Sequence, residues 1–274
     1  MSRRRKLTKK GDESREMLTK KLKCSKPTAA MSSEVFEREA KLIVSKLSKE
    51  LSRRGNAKDS AAMKKYLRDQ FEFYGVKTPA RREVSTEILT LKDKCFERKD
   101  IIDLVSLLWS YPQREFQYVA VDFLVKNRKL ICEEQAHFAE NVEFFKSLIT
   151  DKSWWDTVDM LAYKLIGFLV KLYPEQGVAV MRNWVSSDNM WLKRTAILHQ
   201  LCCKHSTKEE LLFEFCKLRC HESEFFIQKA IGWALRDYAR TKPGSVKRFL
   251  YENKKNLSRL SYNEAAKHLS LDGR

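Results

Sequence analysis

The chain has 274 residues, of which 43% are hydrophobic and 33% charged, so it can bury a sizeable core as one large or two small domains. With only 8 Gly and 5 Pro and little strand-like alternation, the sequence predicts a mostly helical globular protein. Its formal charge of +18 makes a polyanion the first partner to consider. No apolar run approaches the roughly 18 residues that span a membrane, and no hydrophobic signal core follows the first arginines, so we expect no membrane association and no secretion.

The first 30 residues are strongly basic. They hold eleven basic and three acidic side chains with few large apolar ones, which predicts a disordered tail ahead of one folded domain at 31–274. The run RRRKLTKK is compatible with a nuclear address, an electrostatic arm on nucleic acid, or a solvated tail without a specific role. We expect an intracellular protein, nuclear in a eukaryote and otherwise cytoplasmic. The seven cysteines, an odd number, lack the spacing of a disulfide framework and favour a reducing compartment.

Large residues open successive helix-like segments at a regular interval. Phe116, Trp155, Trp191 and Phe226 are separated by 39, 36 and 35 residues, and one further interval back lies Pro79. A repeat of this length without strands is typical of HEAT-like helical pairs, in which one helix of each pair lines a concave surface. The sequence therefore predicts an all-α, curved solenoid, and such stacks are usually monomers.

The segment that starts at residue 152, KSWWDTVDML, combines aromatic and acidic residues at a helix start. Ser153 and Asp156 have the spacing of a capping box, so we expect Asp156 to cap the helix. Residues four and three apart form a stripe that we expect to face the core. This stripe contains Trp154, Val158, Leu161, Leu165, Phe168 and Leu172.

Trp155 and Asp159 share a different face of that helix, because they are four residues apart. One interpretation is a half-buried tryptophan at a repeat interface beside a solvated aspartate. The other is a site for a cation, since an indole face and a carboxylate both attract positive charge. In a DNA groove Asp159 requires a cationic partner, either an arginine or a group in the DNA.

Two later segments carry similar residues. In DNMWLKRTAILHQL we expect Asp188 or Asn189 to cap the helix, Trp191 to pack, and Lys193 and Arg194 to remain for solvent or phosphate. In EFFIQKAIGWALRDYAR, Trp233 is either a core residue or part of a basic stripe. That stripe contains Lys229, Arg236 and Arg240.

The usual nucleotide, zinc-protease and hydrolase fingerprints are absent from the sequence. A histidine and cysteine cluster between 199 and 221 suggests zinc, but it lacks paired C-x-x-C spacing, so we predict no metal and no cofactor. The residues of this cluster are His199, Cys202, Cys203, His205, Cys216, Cys220 and His221.

Five motifs in collinear order resemble the AlkD-type DNA alkylation repair family, which consists of HEAT-like repeat DNA glycosylases. They are FYGVKTPARR, LWSYPQREFQ, SWWDTVD, SSDNMWLKRTAILHQL and EFFIQKAIGWALRDYA, and the similarity covers about residues 60–268. The resemblance implies a monofunctional enzyme that hydrolyses the N-glycosidic bond of cationic alkylpurines, chiefly N3-alkyladenine and N7-alkylguanine, in double-stranded DNA. The base would stay largely stacked, without a deep pocket.

The same resemblance assigns residue roles. It places the catalytic aspartate at Asp159, the two site tryptophans at Trp155 and Trp233, and a DNA-clamping arginine at Arg194. It also suggests further DNA-binding residues at Tyr66, Lys77, Thr78, Arg81 and Arg236. The alternative is a non-catalytic HEAT-like scaffold that binds DNA or a protein, because a fold does not determine a function.

Overall fold

The computed structural model describes residues 33–89 and 96–270. The chain divides into two compact units, residues 1–39 and 40–274. Of the first unit, the described part is the beginning of helix α1 (Ser33–Arg54). The basic tail and the domain boundary expected after residue 30 lie outside the described residues. No helix of the described ranges is long and apolar enough to cross a membrane.

The second unit is built from short helices. The described residues contain no β-strand beyond one isolated bridge between Glu72 and Gln113, which confirms the all-α prediction. After α1 the helices are α2 (Ala57–Tyr66), α3 (Thr78–Leu89), α4 (Arg98–Ser110), α5 (Arg114–Cys132), α6 (Phe138–Thr150), α7 (Trp155–Leu161), α8 (Gly167–Leu172), α9 (Pro174–Val185), α10 (Met190–Leu198), α11 (Glu209–Leu218), α12 (Phe225–Ala239), α13 (Pro243–Glu252) and α14 (Arg259–Ala266). A π-helical turn, Ala162–Ile166, joins α7 to α8.

These helices alternate between two positions in a stack. The first helices of successive pairs are α4, α6, α9, α11 and α13, and the second helices are α5, α7, α10, α12 and α14. Each second helix packs on the next one, from α5 to α7, α10, α12 and α14. This packing confirms the prediction of a helical-repeat solenoid, and the second helices form one continuous row.

The periodic aromatics mark the starts of second helices. Phe116 is the third residue of α5, Trp155 the first of α7, and Trp191 and Phe226 the second residues of α10 and α12. Phe116 is fully buried, and Trp191 is 9% exposed. Pro79 likewise is the second residue of α3. Trp155 and Phe226 are half-buried, so what recurs from one second helix to the next is a large aromatic side chain near its start, buried to different extents.

The predicted core stripe of the segment after residue 152 is correct only in its first half. Val158, Leu161 and Leu165 are buried, but Phe168 is half-buried and Leu172 is 38% exposed. The π-helical turn inserts an extra residue into the helix, which rotates every later side chain around the axis. The buried positions therefore become Ile166, Leu169 and Val170, and the prediction for Phe168 and Leu172 was wrong.

Candidate active site

Helix α7 does not begin with the predicted capping box. Its N-cap is Trp154, which makes no side-chain capping bond, and the Ser153 hydroxyl donates to the carbonyl of Ile149 at 2.7 Å. Asp156 does not cap the helix start. Its carboxylate instead accepts bonds from a neighbouring repeat, so the prediction of a local cap was wrong.

The partners of Asp156 lie on helix α5. The Arg114 guanidinium donates to Asp156 from Nε at 2.9 Å and from Nη2 at 2.7 Å, and the Tyr118 hydroxyl donates at 2.6 Å. Arg114 is fully buried and lies 3.7 Å from the ring centre of Phe71. Because the carboxylate lies in the first turn of α7, these bonds attach the start of α7 to α5.

This cluster was not identified from the sequence. Arg114 also donates from Nη2 to the hydroxyl of Thr157 at 2.8 Å and from Nη1 to the carbonyl of Lys152 at 2.8 Å. Arg114 and Asp156 occupy the first turns of adjacent second helices, about one repeat apart in the sequence. Opposite charges one repeat apart on second helices are the signal that would have indicated this pair.

Asp159 lies one turn further along α7 and is held by Arg194 of α10. Nε of Arg194 donates to Oδ1 at 2.7 Å and Nη2 donates to Oδ2 at 2.8 Å, so both carboxylate oxygens are engaged. The third nitrogen, Nη1, donates to the carbonyl of Phe226 on α12 at 2.5 Å. Asp159 is 6% exposed and Arg194 is 4% exposed. This pair joins three consecutive second helices.

These positions correct two expectations. Asp159 is buried, not solvated on a face away from the core. Lys193 and Arg194 are not left for solvent, because Lys193 pairs with Glu222 at 2.8 Å and Arg194 pairs with Asp159. The cationic partner of Asp159 in the structure is therefore an arginine, Arg194. Contact of Arg194 with DNA stays a prediction.

Burial and pairing act in opposite directions on the Asp159 carboxyl. Removal from water disfavours its charged form and raises its pKa above the ordinary value, while the bonds and charge of Arg194 lower it. The nearby Asp156 also raises the pKa. Burial has the largest effect. Asp159 is therefore a carboxylate that protonates more readily than an exposed aspartate.

Aromatic side chains lie at the starts of the helices that carry this pair. Trp155 is half-buried and meets Tyr66 edge to face, with ring centres 5.7 Å apart. Trp154 packs with Trp191 and Phe226, with ring centres 5.8 and 5.1 Å away. Two adjacent tryptophans thus have separate surroundings, since Trp154 belongs to an aromatic cluster between repeats and Trp155 adjoins an exposed tyrosine.

Trp233 lies on α12 and is half-buried. Within the described ranges no hydrogen bond or ring contact joins it to Trp155 or Asp159. Two of the three cations of its predicted basic stripe have an acidic partner on α14, because Lys229 and Arg236 both pair with Glu264, whereas Arg240 is exposed. The first of these pairs measures 2.9 Å.

A pocket of about 280 Å³ adjoins the start of α7, and its lining includes three predicted DNA-binding residues, Tyr66, Thr78 and Arg81. Arg81 is 5% exposed, donates to Asp122 at 3.0 Å, and lies 4.7 Å from the ring centre of Tyr118. Asp156, Thr157 and Met160 of α7 line the same pocket. The structure thus brings these three predicted residues to one cavity, although the Arg81 guanidinium is engaged within the protein.

Lys77, another predicted DNA-binding residue, is at the surface just before α3. Its side chain is 70% exposed and its amine lies 3.1 Å from the Asp59 carboxylate. Exposed pairs of this kind contribute little to stability and exchange partners easily. Lys77 is therefore available to a phosphate.

The described histidines and cysteines form no centre for a metal. No group of three or more potential ligands occurs among the described residues. Cys132, Cys216 and Cys220 are free and buried, Cys203 is partly exposed and Cys202 is exposed. Burial raises the pKa of the Cys216 thiol, which therefore stays protonated.

The fold defines a helical-repeat protein built from stacked pairs of helices. A family model described as DNA alkylation repair enzyme matches residues 47–269, and the chain belongs to this family. A solved structure described as a predicted DNA alkylation repair enzyme from Enterococcus faecalis is similar at 30% identity with a TM-score of 0.71, covering 79% of this chain and 97% of that one.

A second structure, AlkD2 from Streptococcus mutans, is similar at 19% identity with a TM-score of 0.54, covering 76% of this chain and 100% of that one. At this identity it supports the fold alone. None of the curated proteins matches the chain.

Proposed function

We propose that this protein is a monofunctional DNA glycosylase that removes cationic alkylpurines, chiefly N3-alkyladenine and N7-alkylguanine, from duplex DNA. The observation that carries the proposal is the Asp159 carboxylate, fixed by two bonds from Arg194 and one helical turn after Trp155. A fixed carboxylate suits a reaction in which positive charge develops on a sugar. Membership of a DNA alkylation repair family supports DNA that carries alkylation damage as the substrate.

The chemistry follows from the charge of the lesion. Alkylation at N3 or N7 makes the purine cationic, so the base departs with the bonding electron pair as a neutral molecule and needs no protonation. The deoxyribose then resembles an oxocarbenium ion. Asp159 stabilises this charge and orients a water molecule, whose oxygen bonds to C1′ and whose proton passes to the carboxylate or to solvent.

Arg194 acts as a positioning residue in this scheme. Its bidentate bonds fix the orientation of the carboxylate, and its charge favours the ionised form that the reaction requires. Trp155 and Trp233 hold the charged nucleotide through their indole faces, which attract cations by roughly 0.5–2 kcal/mol. Selectivity then depends on the charge and lability of the lesion.

Binding of the duplex relies on phosphate contacts and not on reading of base edges. The proposed contacts are Arg194, Tyr66, Lys77, Thr78, Arg81 and Arg236. Tyr66 is 72% exposed and Lys77 is exposed, whereas Arg81 and Arg236 must exchange a carboxylate for a phosphate. The strength of binding is therefore expected to fall steeply with salt concentration.

The test is a release assay on methylated duplex DNA. The purified chain should liberate N7-methylguanine and N3-methyladenine and leave abasic sites without cutting the strand. Unmethylated duplex of the same sequence is the control and should release no base. Strand cleavage, or release of normal purines at a similar rate, would contradict the proposal.

A second candidate function is a non-catalytic scaffold on DNA. It is favoured by the burial of Asp159, which is 6% exposed and has both oxygens bound to Arg194. A scaffold would bind duplex DNA tightly and release no methylated base. The same assay, run beside a binding measurement, therefore separates the two candidates.

A further inference from the structure

Helix α13 and the turn after it carry an exposed basic surface, which we call the α13 basic surface and define as Arg248, Tyr251, Lys254 and Lys255. All four are exposed, and Tyr251 is 84% exposed, more than Tyr66 beside the candidate site. An aromatic ring so open to water, with three cations around it in sequence, is unusual for a side chain without a partner.

The orientation of this surface follows from the packing of α13. Val246, Phe249 and Leu250 are buried, and the Phe249 ring stacks on Phe213 of α11 with centres 4.5 Å apart. Arg248 and Tyr251 are three residues apart and share the exposed side of the helix. The surface is therefore presented by an anchored helix of the fold.

The pairing of its cations separates this surface from the candidate site. In the row of second helices, Arg114, Arg194 and Arg236 are each held by a carboxylate. In the described part of the chain, no ion pair engages Arg248, Lys254 or Lys255. The stretch 240–259 has seven basic residues and one acidic residue, Glu252. Among the described residues, no ion pair or side-chain hydrogen bond accounts for Arg248, Lys254 and Lys255.

Other first helices lack this excess of positive charge. Helix α11 holds three glutamates and one lysine, and α6 holds two glutamates and one lysine. On α9 the exposed Arg182 is neutralised by Glu214 at 2.9 Å. The basic excess is thus a local property of α13 and its flanks, and it is not shared by the whole row.

We propose that the α13 basic surface binds the phosphates of a second segment of duplex DNA, separate from the segment at the candidate site. The surface belongs to the row of first helices, whereas Asp159, Arg194 and Trp233 lie on second helices. Lysine and arginine neutralise phosphates, and a tyrosine hydroxyl donates to phosphate oxygens. DNA as the occupant also agrees with the family to which the chain belongs, which is described as DNA alkylation repair enzyme.

The experiment counts short duplexes bound to the full chain. Undamaged duplexes of about one helical turn are titrated at low salt into the wild-type chain and into Arg248→Ala/Lys254→Ala/Lys255→Ala, with stoichiometry measured per chain by calorimetry and sedimentation. We expect two duplexes per wild-type chain and one per variant chain. In a plot of the logarithm of the binding constant against the logarithm of salt concentration, the slope should be smaller in the variant by up to about three. The reason is that about one counterion is released per phosphate contact.

The matched control removes three exposed cations that already have carboxylate partners, Arg53→Ala/Lys146→Ala/Arg182→Ala. This control variant loses three positive charges, as the test variant does, and should still bind two duplexes. One duplex per wild-type chain, or an equal loss in the control, would overturn the proposal. So would a variant that keeps two duplexes and instead loses binding to vesicles of anionic phospholipid.

Failure of this inference is distinguishable from failure of the glycosylase proposal. Single-turnover release of N7-methylguanine at saturating protein reports on Asp159 and should be the same in wild type and in the Arg248, Lys254 and Lys255 variant. Duplex counting with undamaged DNA is independent of any base release. Each proposal can therefore be rejected while the other stands.

Discussion

A single buried ion pair dominates the candidate site at the level of residues. The charges of Asp159 and Arg194 neutralise each other, and the arginine also donates a hydrogen bond to the Phe226 carbonyl. Loss of one member of such a pair typically costs about 3–5 kcal/mol, because the remaining charge is left buried without compensation. Substitutions at either residue thus change both stability and chemistry, and tests must measure both.

For Asp159→Asn we expect loss of most base release with duplex affinity almost unchanged. The amide keeps the shape of the side chain and removes the charge that stabilises the sugar cation, a loss of about 10²–10³ in rate for an electrostatic contact of this kind. Single-turnover release of N7-methylguanine, with thermal unfolding measured in parallel, checks the result. Asp188→Asn, at an exposed position, is the control. Full release by the folded Asp159→Asn variant would refute the mechanism.

The pH dependence of release should report on the Asp159 carboxyl. Burial raises its pKa, and the reaction requires the ionised form, so the enzymatic rate should fall as pH decreases through that raised pKa. Arg194→Lys keeps the charge but loses the bidentate bonds that lower the pKa, so the midpoint should move to higher pH. Rates are measured in single turnover after subtraction of uncatalysed depurination. A midpoint that stays constant or moves to lower pH would contradict this account.

At the level of elements, the continuous segment α7, π turn and α8 determines where the site residues lie. The π turn changes the register of the helix, and Gly167 directly after it lies against α10. A Cβ atom at Gly167 would lie 2.2 Å from the carbonyl oxygen of His199. The close approach of these two helices, which carry Asp159 and Arg194, therefore depends on the absence of a side chain at this position.

Gly167→Ala should lower the free energy of unfolding by about 1–3 kcal/mol, because overpacking forces the backbones of α7–α8 and α10 apart. Gly244→Ala in α13 is the matched control. A Cβ atom there meets nothing within 4 Å, so alanine should be neutral or stabilise the protein by up to about 1 kcal/mol. Chemical denaturation of both variants checks the pair of predictions. Equal stability of the two variants would mean that the close approach is not a constraint.

At the level of the whole molecule, buried polar residues make stability depend on pH. His199 is 2% exposed, its Nδ1 donates to the carbonyl of Ala196 at 2.6 Å, and burial lowers its pKa to about 4. In the unfolded chain the His199 imidazole binds a proton near pH 6.5, whereas in the folded chain it does so only near the lowered pKa. Stability from this residue is therefore complete above pH 6.5 and decreases as pH falls.

For His199→Phe we expect a smaller loss of stability on acidification than in the wild type. The difference in the free energy of unfolding between wild type and variant should change by up to about 3 kcal/mol between pH 7 and pH 4. Urea denaturation at a series of pH values measures it. His221→Phe, at an exposed position, is the control. If the two proteins lose stability in parallel, the buried imidazole is not responsible.

The helical class, the repeat interval and the positions at which second helices begin were all predictable from the amino-acid sequence. Phe116, Trp155, Trp191 and Phe226 were identifiable because each of these second helices begins with a large aromatic side chain that is buried or half-buried, which leaves a period in the sequence. Motif resemblance added Asp159 and Arg194 as candidates. Local patterns were sufficient for these features, since they depend on residues close in the chain or on a regular interval.

The pairing of the charged side chains was not predictable from the sequence and became clear from the packing of the helices. Asp156 was expected to cap its own helix and instead binds Arg114 and Tyr118, while Asp159 was placed away from the core and is buried with Arg194. These partners are 35–42 residues apart and meet only because the second helices stack. Burial, which raises the pKa of Asp159, is a property of that stacking and of no short segment. The register after the π turn was equally inaccessible, because periodicity assumes an uninterrupted helix.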